Sequence, residues 1–198
     1  MGDPGSIKTL KDYSKYIPGS DDLRGAFLKA GAVGVDDRAM AVVTSSLLEG
    51  TLSILIMSKF GFVDQTGKNE LFENDGPLST FSSKIIMGAA LHLYGPETRS
   101  DLDTIREIRN GFAHSRLDLS FSSVQVVNVC KRLKFMQRWR ATHKDDEKGL
   151  SSAAPFDPRI EYFLAAWFLG MAFDDLSNDI FLPREDKRKI SLYALLDI

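Results

Sequence analysis

The chain is poor in the residues that staple a fold or bind a metal. It holds one cysteine, Cys130, and three histidines, His92, His114 and His143. A lone cysteine closes no internal disulfide, which excludes a small secreted fold held by cross-links. No Cys or His pair stands at metal-ligand spacing, so no metal site is expected. The Gly-x-x-x-x-Gly-Lys-Ser/Thr, Gly-x-Gly-x-x-Gly and Gly-x-Ser-x-Gly loops are all missing, and no cofactor is expected. Period-two alternation and hairpin dipeptides between β-branched runs are nearly absent, which argues against a sheet. The longest apolar run, Phe163 to Phe173, has eleven residues. A bilayer span needs about 20, so the run reads as a buried helix and no membrane is expected. The polar start, Met1 to Ser6, lacks the basic and apolar regions of a signal peptide, and the cytoplasm is the expected location. Charge of one sign is lacking too. The 25 Lys and Arg nearly balance 27 Asp and Glu, for a formal charge of −2. A general duplex-DNA binder usually shows its footprint in net charge, so nucleic-acid binding here requires a local basic patch.

What is present is ordinary globular composition, 43% hydrophobic and 26% charged over 198 residues, enough for one domain with a sizeable core. Residues 1–19 read as a flexible N-terminal segment, 20–182 as a helical domain and 183–198 as a tail. Ser20-Asp21-Asp22 offers caps for a short helix ended by Gly31. Asp36-Asp37 opens a longer one on which Met40, Val43, Leu47, Ile54 and Met57 form the expected core stripe. After the turn Asn74-Asp75-Gly76-Pro77, Ser79 or Thr80 caps a helix to about Tyr94, broken by Gly95-Pro96. Ser100-Asp101 precedes a helix with Leu102, Ile105, Ile108 and Phe112 facing inward. Ser122 to Gln125 fits a capping box for a helix to about Thr142, with Val126, Cys130 and Leu133 inward. Asp157-Pro158 opens the last long helix, whose Phe163, Trp167 and Met171 stripe is core or dimer interface. The fold class is therefore all-α: a single-domain bundle of about six helices.

Chemistry concentrates where one helix ends. With Arg106 at zero on a helical wheel, Asn110 falls at about 40°, His114 at about 80° and Arg109 at about −60°. Two guanidiniums, an amide and an imidazole suit a phosphodiester: arginine offers a planar fork of donors and histidine moves a proton near neutral pH. The same residues at a helix end also serve to cap carbonyls and pair with carboxylates. Glu49 stands mid-helix among Leu47, Leu48 and Leu52, where a carboxylate needs a partner. The expected partner is Arg106 or Arg109; a solvated surface position is the alternative. Lys131, Arg132, Lys134, Arg138, Arg140 and Lys144 make residues 131–144 strongly basic, with Phe135 and Trp139 among them. That mixture suits single-stranded RNA, or is a solvated face over core aromatics.

The block Ile108-Arg109-Asn110-Gly111-Phe112-Ala113-His114 resembles the Arg-x4-His signature of the HEPN superfamily of helical RNases, toxins and RNA-binding proteins. The run Phe72 to Ile85, with its Gly76-Pro77-Leu78-Ser79-Thr80-Phe81 centre, followed by Ile105 to His114, is similar to the mannitol operon repressor (MltR) family. Asp37-Arg38-Ala39 and Leu48-Glu49 fit that pattern, and the resemblance spans roughly residues 20–180. It implies a helical bundle, a homodimer, and a repressor or co-regulator of a sugar-alcohol operon. No helix-turn-helix with base-reading side chains stands out, so the expected route is contact with a regulatory protein or RNA. The HEPN resemblance implies the alternative: a metal-independent endoribonuclease, or a toxin–antitoxin component, with Arg109, Asn110 and His114 as its catalytic residues. Arg106, Glu49, Lys131, Arg132, Lys134 and Arg138 are then the flanking binding candidates.

Overall fold

A computed structural model describes residues 20–61, 64–73, 75–142, 156–178 and 196–197. The expected N-terminal segment and most of the expected tail lie outside these residues, as do Lys144 and the side chains of Trp139 and Arg140. The described residues are helical, in the order α1 (Ser20–Ala30), α2 (Asp37–Lys59), α3 (Gln65–Phe72), α4 (Phe81–Ala90), α5 (Pro96–His114), α6 (Val124–Cys130), α7 (Phe135–Thr142) and α8 (Pro158–Asn178). Eight helices among the described residues replace the six expected.

The two extra helices have separate causes. α3 carries no apolar stripe and exists because Asp64 accepts from Gly67 N–H at 2.8 Å and so caps it. α6 and α7 were expected as one helix, but the chain turns at 131–134, where Leu133 N–H donates to the Cys130 carbonyl at 3.0 Å. The expected capping box before α6 does not form. Ser123 makes no side-chain cap, and its hydroxyl accepts from Ser120 N–H at 3.1 Å instead.

α2 is the central helix, packing most extensively on α8 and also against α1, α4 and α5. Asp36 caps it by accepting from Ala39 N–H at 3.0 Å. Its buried face is not the expected stripe: Met40 is buried, but Val43 is 46% exposed and Leu47, Ile54 and Met57 are only partly covered. The face turned inward carries Ala41, Thr44, Ser45, Leu48, Thr51, Leu52, Leu55 and Ile56. α2 is apolar almost all round, so apolar period alone does not fix its phase. Two of the hydroxyls enter the core bonded to their own helix, Ser45 to the Val42 carbonyl at 3.0 Å and Thr51 to that of Leu48 at 2.9 Å, whereas that of Thr44 is buried without a partner among the described residues. By length and composition α2 is also the one helix among the described residues able to cross a membrane, yet 56% of its apolar window is buried inside the fold.

α4 is capped by a reciprocal Thr80–Ser83 box. It ends sooner than Tyr94 because His92 turns left-handed at φ 53°, and Leu93 N–H closes back on the Gly88 carbonyl at 3.0 Å. His92 is exposed and fills a position that glycine favours. The variant His92→Gly is therefore expected to gain about 1 kcal/mol in a urea melt.

Pro96, expected to break the chain, instead starts α5 in its first turn, where a missing N–H is no loss. Leu102, Ile105, Ile108 and Phe112 are all buried, as the spacing predicts. Behind them lies Cys130, fully buried, whose thiol is pushed up to about 12 by burial, with the nearby Glu161 charge adding to it. An Ellman titration at pH 8 should find no reactive thiol in the native protein and one in denaturant.

Candidate functional site

α5 turns its charged positions toward three different neighbours. Toward α2 and α4, Arg109 Nη2 donates to Glu49 Oε2 at 3.0 Å, and Lys84 Nζ donates to Glu49 Oε1 at 2.7 Å. The expected Glu49 pairing is thus made with Arg109. Arg106 turns to Asp103 instead, at 3.3 Å. Lys84, which precedes the apolar run Ile85-Ile86-Met87 near the start of its helix, was not anticipated. The side chains of Lys84, Glu49 and Arg109 are 10%, 16% and 27% exposed. One carboxylate therefore holds two cations across three helices in a largely dry position.

Arg109 also donates through Nη1 to Asn110 Oδ1 at 3.0 Å. Each terminal nitrogen of its guanidinium thus has one protein acceptor. His114 is exposed at the last residue of α5. Five residues separate it from Arg109, which is about 140° around the helix. The structure thus brings together Arg109, Asn110, Glu49 and Lys84, and leaves His114 at the surface.

Toward α7, α5 presents acids to the basic segment. Arg138 pairs with Glu97 at 3.1 Å and Asp101 at 3.0 Å and donates to the Thr98 hydroxyl at 3.3 Å. Lys134 lies 3.8 Å from Glu97, and Arg132 pairs with Glu107. Lys131 is exposed. Asp101 is fully buried and accepts from Lys134 N–H at 2.8 Å. Burial raises its carboxyl above the ordinary value, against the pull of Lys134, Arg138 and Phe135. Three of the basic candidates are therefore neutralised by one helix.

On its exposed side α5 lines a shallow groove of about 360 Å³ with Arg99, Ser100, Asp103, Thr104 and Glu107, closed by Arg132. Neither Arg109 nor His114 lines it. No group of three metal-ligating side chains occurs among the described residues.

At the other end of α5, Arg38 donates to the carbonyls of Ser115 at 3.0 Å and Leu117 at 3.3 Å. Asp37 holds the same loop by accepting from Phe121 N–H at 2.9 Å, and pairs with Arg159 of α8 at 3.0 Å. The Asp37-Arg38 pair noted in the sequence thus ties the loop after His114 to α2 and α8.

No protein-family model matches the chain, and no curated protein matches it. Among solved structures it is similar to a chain of the MtlR–HPr complex from Escherichia coli, with a TM-score of 0.51 at 17% sequence identity. The match covers 81% of this chain and 99% of that one. The two share an all-α fold.

Proposed function

We propose that this chain is a cytoplasmic regulator of the mannitol-repressor kind, which controls a sugar-alcohol operon by gripping another protein. The observation that carries the proposal is fold likeness across 99% of a chain from a complex in which MtlR is bound to HPr. The site supports a binding role over a cleaving one. Phosphodiester chemistry needs a guanidinium and a proton-transfer group side by side on the phosphate. Arg109 already donates to Glu49 and Asn110, and His114 stands apart from it on the helix.

The test is a calorimetric titration of the purified chain with purified HPr. Saturable binding at micromolar Kd or tighter is expected, about −8 kcal/mol or stronger. No binding at about 1 mM HPr, an affinity below about −4 kcal/mol, would overturn the proposal. A parallel incubation with RNA in EDTA should leave the RNA intact, with His114→Ala indistinguishable from wild type. Cleavage that His114→Ala abolishes would put the endoribonuclease in its place.

A further inference from the structure

α5 begins without a cap of its own. Its N-cap position is Gly95, which has no side chain to accept the first amides. They are taken instead by residues about a hundred positions away. The Asp197 carboxylate accepts from Glu97 N–H at 2.8 Å and from Thr98 N–H at 2.9 Å. The Leu196 carbonyl accepts from Gly95 N–H at 2.8 Å, and the Leu196 side chain is fully buried. A Cβ on Gly95 would collide with the carbonyl and carboxylate of Asp197, so only glycine leaves room for this docking. Asp197 is itself left-handed at φ 53°, a conformation aspartate tolerates better than most residues. Its negative charge also meets the positive end of the α5 dipole.

The turn of α5 fixed in this way is the one that holds α7. Glu97, whose amide Asp197 accepts, reaches through its side chain to Arg138 at 3.1 Å and Lys134 at 3.8 Å. Thr98, whose amide is the second, takes Arg138 on its hydroxyl at 3.3 Å. The same two residues thus bond the 196–197 turn through their backbone and the basic side chains of α7 through their side chains. Asp101, one turn further on, holds Arg138 and the Lys134 amide independently.

We propose that Leu196–Asp197 is a latch. Docked, it keeps the first turn of α5 formed, and that turn holds the half-buried Arg138 and the exposed Lys134 on the Glu97 carboxylate. Withdrawn, it lets the turn fray, so that Glu97 no longer competes for the two cations, beside the exposed Lys131, with an acidic surface on a partner protein. The device does not depend on which operon or partner the chain serves.

The test uses the full chain and two variants, of which Asp197→Ala leaves the hydrophobic core intact and Leu196→Ala removes one buried side chain from it. Asp197→Ala removes the carboxylate, and Leu196→Ala keeps the carboxylate but removes its anchor. Amide hydrogen exchange is followed at residues 96–100 and 134–142, with trypsin cleavage after Lys134 and Arg138 and binding of a fluorescent oligo-glutamate peptide. In both variants exchange should rise about tenfold in the two segments together, the size expected for a lost cap. Cleavage should quicken and the peptide should bind more tightly, an effect that salt weakens. Asp197→Asn, which keeps an acceptor oxygen, should fall between wild type and Asp197→Ala. Faster exchange at 96–100 alone would reduce Asp197 to a plain cap, and no change in either segment would remove the latch altogether. Tighter binding of single-stranded RNA with no gain for the peptide would overturn the acidic-protein partner.

Discussion

Glu49→Ala is expected to lower the unfolding free energy by about 3 kcal/mol in a urea titration. Its two oxygens are held by two different helices, Oε1 by Lys84 of α4 and Oε2 by Arg109 of α5. Exposed ion pairs contribute about 0–1 kcal/mol. Here exposure decides for the larger figure: Lys84 is 10% exposed and keeps its ammonium where water scarcely reaches it. Without the carboxylate, two like charges remain side by side. Arg109 retains Asn110 Oδ1, at 3.0 Å, so the ammonium accounts for most of the loss. Glu49→Gln keeps one acceptor and should cost about half as much, roughly 1.5 kcal/mol. Replacing Glu49, Lys84 and Arg109 together by methionine should recover most of the stability, because the desolvation of all three charges disappears with them. If that triple variant still binds HPr, Arg109 has no duty beyond the core.

Asp101→Ala is expected to cost about as much, roughly 3 kcal/mol. Its carboxylate performs two tasks from a fully buried position: it accepts the Lys134 amide at 2.8 Å, at the start of α7, and it pairs with Arg138 at 3.0 Å. Alanine leaves that amide without its acceptor and Arg138 to Glu97, which is 45% exposed. The sign of the accompanying pH effect follows from burial. Because burial makes the folded carboxyl hold its proton to higher pH than an ordinary aspartate, the folded state there carries a proton that the unfolded chain has already lost. That contribution favours folding at low pH and is lost as pH rises through the folded value. Wild type should therefore lose ground to Asp101→Asn as pH is raised from about 4, in denaturant melts taken at successive pH values.

How much of this was legible depended on whether the cause lay nearby in sequence. The inward face of α5 was readable because its apolar residues are few and regularly spaced, with charges between them. The phase of α2 was not, because a helix with apolar residues on every side offers several equivalent stripes, and packing chose the one with Thr44, Ser45 and Thr51. The break between α6 and α7 carries no glycine or proline. It is fixed by Asp101 on another helix, 33 residues away from the amide it accepts. The site divides along the same line. A lone carboxylate in an apolar helix announces that it needs a partner, so the Glu49 pair with Arg109 was predictable. Lys84 was not, since a lysine near the start of a helix reads as surface. The basic run 131–144 read as an open patch because its acids, Glu97, Asp101 and Glu107, sit on a different helix.

The claim on which the rest stands is that the arginine of the Arg-x4-His block belongs to the core. A double-mutant cycle on Glu49→Ala and Arg109→Ala, read from urea melts, measures this without reference to any ligand. A coupling energy of about 1.5 kcal/mol or more is predicted, as for residues in direct contact within one ion-pair network. Additivity within about 0.3 kcal/mol would contradict it and leave Arg109 free to meet a phosphate.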